Sequence, residues 1–99
     1  MLSRTDRNQL AEIHKVALLT PCDERSFLKL EGIFFDVISF ARLHSGEVEE
    51  SQLLYNLQQI QKNEFQLTQG KYSKAKQREL IIKKFKRAFT REMSSYLSR

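Results

Sequence analysis

The sequence predicts an all-α fold, a small bundle of three or four helices. Apolar residues recur at three- and four-residue intervals through most of the chain, which is the spacing of residues on one face of an α-helix. The chain has 99 residues with only 3 glycines and 1 proline, whereas a β-sandwich or barrel would need turn residues about every 8 to 12 positions. Hydrophobic residues make up 40% of the chain, which suffices for one modest core, so we expect a single domain spanning residues 1–99.

The first predicted helix spans residues 4–18. Ser3 and Asp6 have the spacing of a capping box, in which side chains at a helix start satisfy its free backbone N–H groups. Apolar residues then follow at helical spacing, at Leu10, Ile13, Val16 and Ala17. These two signals together predict a helix with one apolar face.

The second predicted helix spans residues 21–44 and forms the centre of the bundle. Thr20 is a candidate N-cap, Pro21 suits the first helical position, and Asp23 would lie near the positive end of the helix dipole. On a helical wheel most of its apolar residues share one broad arc: Phe27, Leu30, Ile33, Phe34, Val37, Ile38, Phe40 and Ala41. The breadth of this arc predicts the core helix.

A second face of this helix is a candidate contact surface. Leu28 and Phe35 fall outside the apolar arc, with Gly32 between them. Glycine in a helix interior costs roughly 1 kcal/mol relative to alanine, and close approach of another helix would explain it. Two interpretations fit: a central helix with neighbours on two sides, or an interface with a second copy of the chain or another partner.

The third predicted helix begins near residue 47, where Glu47, Glu49 and Glu50 would face its free N–H groups. Its apolar stripe consists of Leu53, Leu54, Leu57, Ile60 and Phe65. Gly70 lies in a stretch without helical periodicity, and we predict a loop over residues 67–73.

The last predicted helix spans residues 74–97 and is basic and amphipathic. Residues 1–70 hold 7 Lys and Arg against 10 Asp and Glu, whereas residues 71–99 hold 10 against 2. The net charge of +5 therefore arises entirely from the C-terminal segment. The apolar side of this helix consists of Ile81, Ile82, Phe85, Phe89, Met93 and Tyr96.

Five cations fall within an arc of about 100° on the opposite side of this helix. They are Lys76, Lys83, Lys84, Arg87 and Arg91. Any amphipathic helix places charges towards solvent, so the stripe has a simple explanation in solubility. Like charges three and four residues apart nevertheless repel each other by a few tenths of a kcal/mol, and few acids compensate them here. An anionic partner would account for that arrangement.

No motif in the sequence predicts an enzyme, a metal site or a bound cofactor. His14 and His44 have no second ligand at a metal-binding spacing, and the three glycines are too far apart for a phosphate-binding loop. Cys22 would lie in the first turn of the second helix, where the dipole can activate a thiol. Catalysis would also need a base beside that thiol, and the sequence places none there.

The sequence predicts a cytoplasmic protein without integral membrane contact. Cys22 is the single cysteine and cannot form a disulfide within the chain. The first twenty residues carry charges where a secretory signal peptide has an apolar run, and no stretch approaches the roughly 18 apolar residues of a spanning helix.

The function that these patterns favour is a non-enzymatic regulatory or accessory module whose basic last helix binds nucleic acid through its phosphates. No helix-turn-helix spacing supports the reading of specific bases. The alternative is a protein-interaction module, such as an adaptor, small inhibitor or chaperone. In that module the basic stripe would only solubilise the chain or steer an acidic protein surface, and a homodimer would fit the second face of the central helix. A membrane surface is a third anionic target, but contact with it would require the apolar side of the last helix to leave the core.

Overall fold

The protein is a bundle of four α-helices in the part of the chain that its computed structural model describes, residues 3–65 and 75–98. The helices are α1 (Arg4–Leu19), α2 (Glu24–Leu43), α3 (Val48–Ile60) and α4 (Ala75–Leu97). A π-helical turn, Gln61–Phe65, continues α3. None of the described residues forms a β-strand, and the predicted all-α bundle is confirmed. The loop predicted over residues 67–73 lies outside the described residues.

Helix α1 begins as the sequence predicts. Ser3 adopts an extended backbone conformation, and its side chain accepts a hydrogen bond from the backbone N–H of Asp6 at 3.1 Å. This bond satisfies one of the N–H groups that have no partner within the helix. The capping hydroxyl therefore fixes the first residue of α1 at Arg4.

The predicted start of α2 was too early by about one turn. Its N-cap is Asp23, whose carboxylate accepts from the backbone N–H of Ser26 at 2.8 Å. Thr20 instead closes α1, because its hydroxyl donates to the Val16 carbonyl oxygen at 2.7 Å. Cys22 therefore precedes the N-cap of α2. The prediction that Cys22 lies in the first turn of this helix was wrong.

Helices α2 and α4 form the centre of the bundle. Each of them contacts all three other helices, whereas α1 and α3 do not contact each other across their described residues. The arrangement is a diamond in cross-section, with α2 facing α4 across the short diagonal. The sequence predicted that α2 alone forms the centre of the bundle. In the structure α4 is as central as α2, because it also contacts all three other helices.

An aromatic cluster joins the two central helices. The ring of Phe34 on α2 lies edge-on to Phe85 and to Phe89 of α4, with centroid distances of 5.0 Å and 5.1 Å. All three side chains are completely buried. Edge-to-face contacts of this kind add to the free energy of apolar burial. The predicted apolar side of α4 is thus confirmed as its core side.

One buried polar contact joins α3 to α4. The hydroxyl of Tyr96 donates to the Glu50 carboxylate at 2.8 Å, and both side chains are buried. Burial raises the pKa of Tyr96 well above its ordinary value, and the hydrogen bond to Glu50 raises it further. Tyr96 therefore keeps its proton and remains a donor to Glu50 across the physiological pH range.

Lys86 of α4 holds the end of α1. Its ammonium group donates to the carbonyl oxygens of Leu18 and Thr20 at 2.7 Å and 2.6 Å. The last carbonyls of a helix have no partner within it and carry the negative end of its dipole, so a cation there is stabilising.

We predict that Lys86→Met lowers the free energy of unfolding by about 1–2 kcal/mol, because it removes both charge-assisted hydrogen bonds while keeping the length of the side chain. Urea denaturation followed by circular dichroism measures this change. Lys84→Met is the matched control, and since Lys84 is exposed its effect should stay within about 0.5 kcal/mol. Equal losses in the two variants would contradict the capping role of Lys86.

Candidate anion-binding surface on the last helix

Four of the five cations predicted to bind an anion lie together on the outer side of α4. We call them the basic crest: Lys83, Lys84, Arg87 and Arg91. All four side chains are exposed to solvent. Lys76, the fifth, lies in α4, but its side chain is outside the described residues. From the rise per residue, the basic crest is about 12 Å long.

Packing on the opposite side of α4 fixes the orientation of the basic crest. Phe85, Phe89 and Met93 are completely buried against the other helices, and Ile82 and Tyr96 are nearly so. Rotating α4 to turn the crest inward would expose these side chains, at a cost of about 1.5–3 kcal/mol for each large apolar side chain. The core therefore holds the crest towards water.

Acidic side chains on α4 do not neutralise the basic crest. Glu92 lies on the flank that faces α3, where its carboxylate accepts from the Asn56 amide at 2.6 Å. Gln52 in turn donates to the Asn56 carbonyl oxygen at 2.9 Å, which orients that amide. Glu79 is exposed one turn before Lys83. Among the described residues, no ion pair joins a carboxylate to any cation of the crest.

The structure separates the basic crest from the structural cations of the bundle. Lys86 is committed to the end of α1, and Arg7 of α1 donates from its guanidinium group to the Leu97 carbonyl oxygen at the end of α4. Both use their charge within the protein, at helix C-termini. On a helical wheel Lys86 lies about 100° from the centre of the basic crest.

One apolar side chain lies within the crest. Leu80 is 58% exposed and lines up with Lys84, Arg87 and Arg91 at spacings of four, three and four residues. The surface is therefore a row of cations with an apolar residue at its N-terminal end. A single exposed leucine is ordinary for a protein surface, and we assign no role to it.

The second candidate surface is the outer face of α2. Leu28, Gly32 and Phe35 are all exposed there, on the side of α2 that faces away from the core. Of the two interpretations of this face, contact with neighbours inside the bundle does not account for Leu28, which is 75% exposed.

The residues considered for catalysis or metal binding lie apart from the basic crest in the fold. Cys22 is a free, half-buried thiol between α1 and α2. His14 is half-buried on α1, and its Nε2 atom has no hydrogen-bond partner among the described residues. His44 follows α2 and packs against the ring of Phe40, with centroids 4.6 Å apart. Across residues 3–65 and 75–98, no three His, Cys, Asp or Glu side chains converge as metal ligands would.

No helix in the described part of the chain is both long and apolar enough to cross a bilayer. Comparison with known proteins identifies no matching family model, and no curated protein or solved structure is significantly similar to the chain. The functional interpretation therefore comes from the chemistry of its own surfaces.

Proposed function

We propose that this protein is a non-enzymatic accessory or regulatory module that binds nucleic acid through the basic crest of α4. The observation that carries the proposal is that four exposed cations share one side of a helix and no described carboxylate pairs with them. Each strand of duplex DNA carries one phosphate per about 3.4 Å of the helix axis, so a crest of about 12 Å spans about three to four phosphates of one strand. The four cations of the crest are therefore similar in number to the phosphates of a single strand over the same length.

Electrostatic repulsion along α4 supports a functional origin for the crest. Lys83 and Arg87 are four residues apart, as are Arg87 and Arg91, and each such pair of like charges destabilises a helix by about 0.2–0.5 kcal/mol. Phosphates bound along the crest would convert this repulsion into attraction. A free surface selected for solubility alone would more simply alternate lysines with glutamates.

The proposed contact is with the phosphate backbone and not with particular bases. The aromatic residues of α4, Phe85, Phe89 and Tyr96, are buried in the core and cannot stack on bases. Lysine and arginine side chains on one convex helix can reach phosphates without sequence preference. We therefore expect similar affinities for duplexes of different sequence. Because the single cysteine, Cys22, cannot form a disulfide within the chain, we propose the reducing cytoplasm as the compartment of this activity.

A salt titration tests the proposal. Each phosphate that a cation neutralises on duplex DNA contributes about −0.9 to the slope of log K against log salt concentration, so four to five cations give a slope of about −3.6 to −4.5. Fluorescence anisotropy with a labelled 20-base-pair duplex, roughly two helical turns, measures this slope. The same titration with single-stranded DNA is the internal control, with an expected slope of about −2.8 to −3.5.

The titration also separates nucleic acid from an acidic protein surface as the partner. If no duplex binding is detected at low salt, or if its slope is shallower than about −1, the crest does not engage phosphates in the proposed way. An acidic protein partner held mainly by apolar contacts would instead show weak salt dependence of its affinity.

A further inference from the structure

The outer face of α2 carries a stripe of apolar and small residues along almost the whole helix. We define the α2 stripe as the exposed positions spaced by three or four residues on this face: Leu28, Gly32, Phe35, Ser39 and Leu43. Its two end residues, Leu28 and Leu43, are 75% and 84% exposed, and Phe35 is 38% exposed. From the rise per residue, the α2 stripe is about 22 Å long. Scattered exposed apolar residues are ordinary, but an aligned set over four turns indicates a contact surface.

Gly32 leaves room at the middle of the stripe for another backbone. A Cβ atom added at Gly32 would meet no atom of the protein within 4 Å. The described bundle therefore gives no packing reason for a glycine there, although it costs roughly 1 kcal/mol relative to alanine. A helix from outside this chain that crosses α2 at Gly32 would use the space and approach most closely there.

The α2 stripe and the basic crest lie on opposite sides of the molecule. Helices α2 and α4 face each other through the contacts of Phe34 with Phe85 and Phe89, and each surface lies on the far side of its own helix. A partner on the α2 stripe would leave the basic crest open. Occupancy of the α2 stripe is therefore independent of the proposed nucleic-acid binding.

Charged residues flank the α2 stripe in a self-complementary order. Glu24 and Arg42 lie on one flank, because their separation of 18 residues corresponds to about five helical turns. Arg25, Lys29 and Asp36 lie on the other flank, and Lys29 and Asp36 are about two turns apart. The two charges of each pair are opposite. Along α2, the point midway between the two members lies close to Gly32 and Ile33 for both pairs.

An antiparallel pair of α2 helices would bring these charges together. A two-fold axis through the common midpoint makes each flank meet the same flank of the second copy in reverse order. Lys29 of each copy then faces Asp36 of the other, and Glu24 faces Arg42. Leu28 falls between positions 35 and 39 of the other copy, and Gly32 lies at the closest approach of the two backbones.

A parallel pair of α2 helices would be less favourable. In that arrangement Glu24 could meet Lys29 of the second copy, but Glu31 would meet Asp36, so attraction on each flank is offset by repulsion. The antiparallel pair brings Lys29 to Asp36 twice and brings Glu24, which also has an interaction within its own chain, to Arg42 twice. Its one unfavourable contact lies between the two half-buried copies of Glu31 near the axis. Charge complementarity therefore selects the antiparallel arrangement.

We propose that the occupant of the α2 stripe is a second copy of this chain, which docks antiparallel with Gly32 at the crossing point. A contact made by a single helix face is small, whereas a stable specific interface needs about 1,000 Å² or more. The dimer is accordingly weak and forms as protein concentration rises. Its two basic crests point outward in opposite directions.

A charge-swap series tests this dimer in the full-length protein. Sedimentation equilibrium over a range of concentrations gives the dimer dissociation constant. Lys29→Asp and Asp36→Lys each replace two attractive contacts across the interface by repulsive ones, and each should raise the dissociation constant about tenfold. The double variant carrying both changes restores opposite charges and should return to within about threefold of the original value. Because these positions lie seven residues apart on one helix, no direct pair within a single chain explains such a rescue.

A second pair of variants tests the apolar part of the interface. Leu28→Ser should abolish dimerisation and leave the helical circular dichroism spectrum unchanged, because Leu28 is 75% exposed in the single chain. Leu19→Ser on α1 is the matched control, because Leu19 is 83% exposed and does not belong to the α2 stripe. This variant should dimerise like the original protein.

Three results would overturn the proposal. A protein that stays monomeric up to its solubility limit has no such interface. If the double variant dimerises no better than the single variants, Lys29 does not pair with Asp36 of the second copy. A tighter dimer in Asp36→Lys would indicate parallel helices, because the new lysine would then face Glu31.

Discussion

Replacing Phe34 by alanine is expected to lower the free energy of unfolding by about 3–5 kcal/mol, the largest loss of stability that we predict for a single substitution in this bundle. Phe34 is completely buried and contacts Phe85 and Phe89 edge-on, at centroid distances of 5.0 Å and 5.1 Å. Truncation removes its apolar burial and leaves a cavity between the two central helices. A domain of this size has a total stability of about 5–15 kcal/mol, so the predicted loss is a large fraction of the total.

Chemical denaturation at 25 °C measures the loss, with the native baseline checked by near-ultraviolet circular dichroism. Leu43→Ala is the control on the same helix, because Leu43 is 84% exposed and its truncation in the monomer should change stability by about 0.5 kcal/mol or less. Similar losses at the two positions would mean that Phe34 does not join α2 to α4.

Periodicity predicted the four helices and most of the core, although Val16, which helical spacing placed on the apolar face of α1, is 41% exposed. Leu10 and Ala17 on α1, and Phe85 and Phe89 on α4, are buried where helical spacing placed them. A helix that must bury one face repeats its apolar residues with the period of the helix, so each segment carries this information locally. The positions of the helices along the chain could therefore be predicted without knowledge of how the helices contact each other.

The start of α2 was mispredicted because two capping signals compete over four residues. Thr20, Pro21 and Asp23 are all residues that favour helix starts. In the structure the Thr20 hydroxyl bonds to the Val16 carbonyl oxygen at the end of α1, and the carboxylate of Asp23 takes the N-cap. A threonine can close one helix or begin the next, and only the packed structure decides between them.

The buried role of Glu50 also lay beyond the sequence analysis. Its charge assigned it to the solvated first turn of α3, where acids are common. Its spacing of three and seven residues from Leu53 and Leu57 nevertheless places it on the apolar side of α3. The partner that makes this burial tolerable is Tyr96, which comes 46 residues later and which no local pattern connects to Glu50.

The basic crest was predictable as a set of residues, whereas its freedom from acids was not. Helical spacing alone groups Lys83, Lys84, Arg87 and Arg91, but a neighbouring helix could have supplied carboxylates to them. The structure directs Glu92 towards Asn56 on α3 instead. The same limit applies to Lys86, whose commitment to α1 depends on how the two helices pack.

Reversing two charges of the basic crest is expected to produce the largest change in binding. The double variant Lys83→Glu with Arg87→Glu removes two proposed phosphate contacts and places two carboxylates in their position. Loss of two contacts at about 50 mM salt lowers the association constant roughly 100-fold, and repulsion from the new carboxylates lowers it further. The slope of log K against log salt concentration should become shallower by about 1.8.

The matched control carries the same change of net charge on other helices. Arg4→Glu with Lys62→Glu alters two exposed cations outside α4 and lowers the net charge by the same amount. Long-range attraction should weaken equally in both variants, so any difference between them reports local contact. Both variants should retain the circular dichroism spectrum of the original protein, and their free energies of unfolding should stay within about 0.5 kcal/mol of it, because all four positions are exposed.

The affinity of these two variants for one labelled duplex at low salt is the most direct test of the assignment of α4 as the binding surface. We expect Lys83→Glu with Arg87→Glu to bind at least about 100-fold more weakly than the original protein, and the control variant to lose no more than about tenfold. Equal affinities for the two variants, or full affinity in the α4 variant, would contradict that assignment.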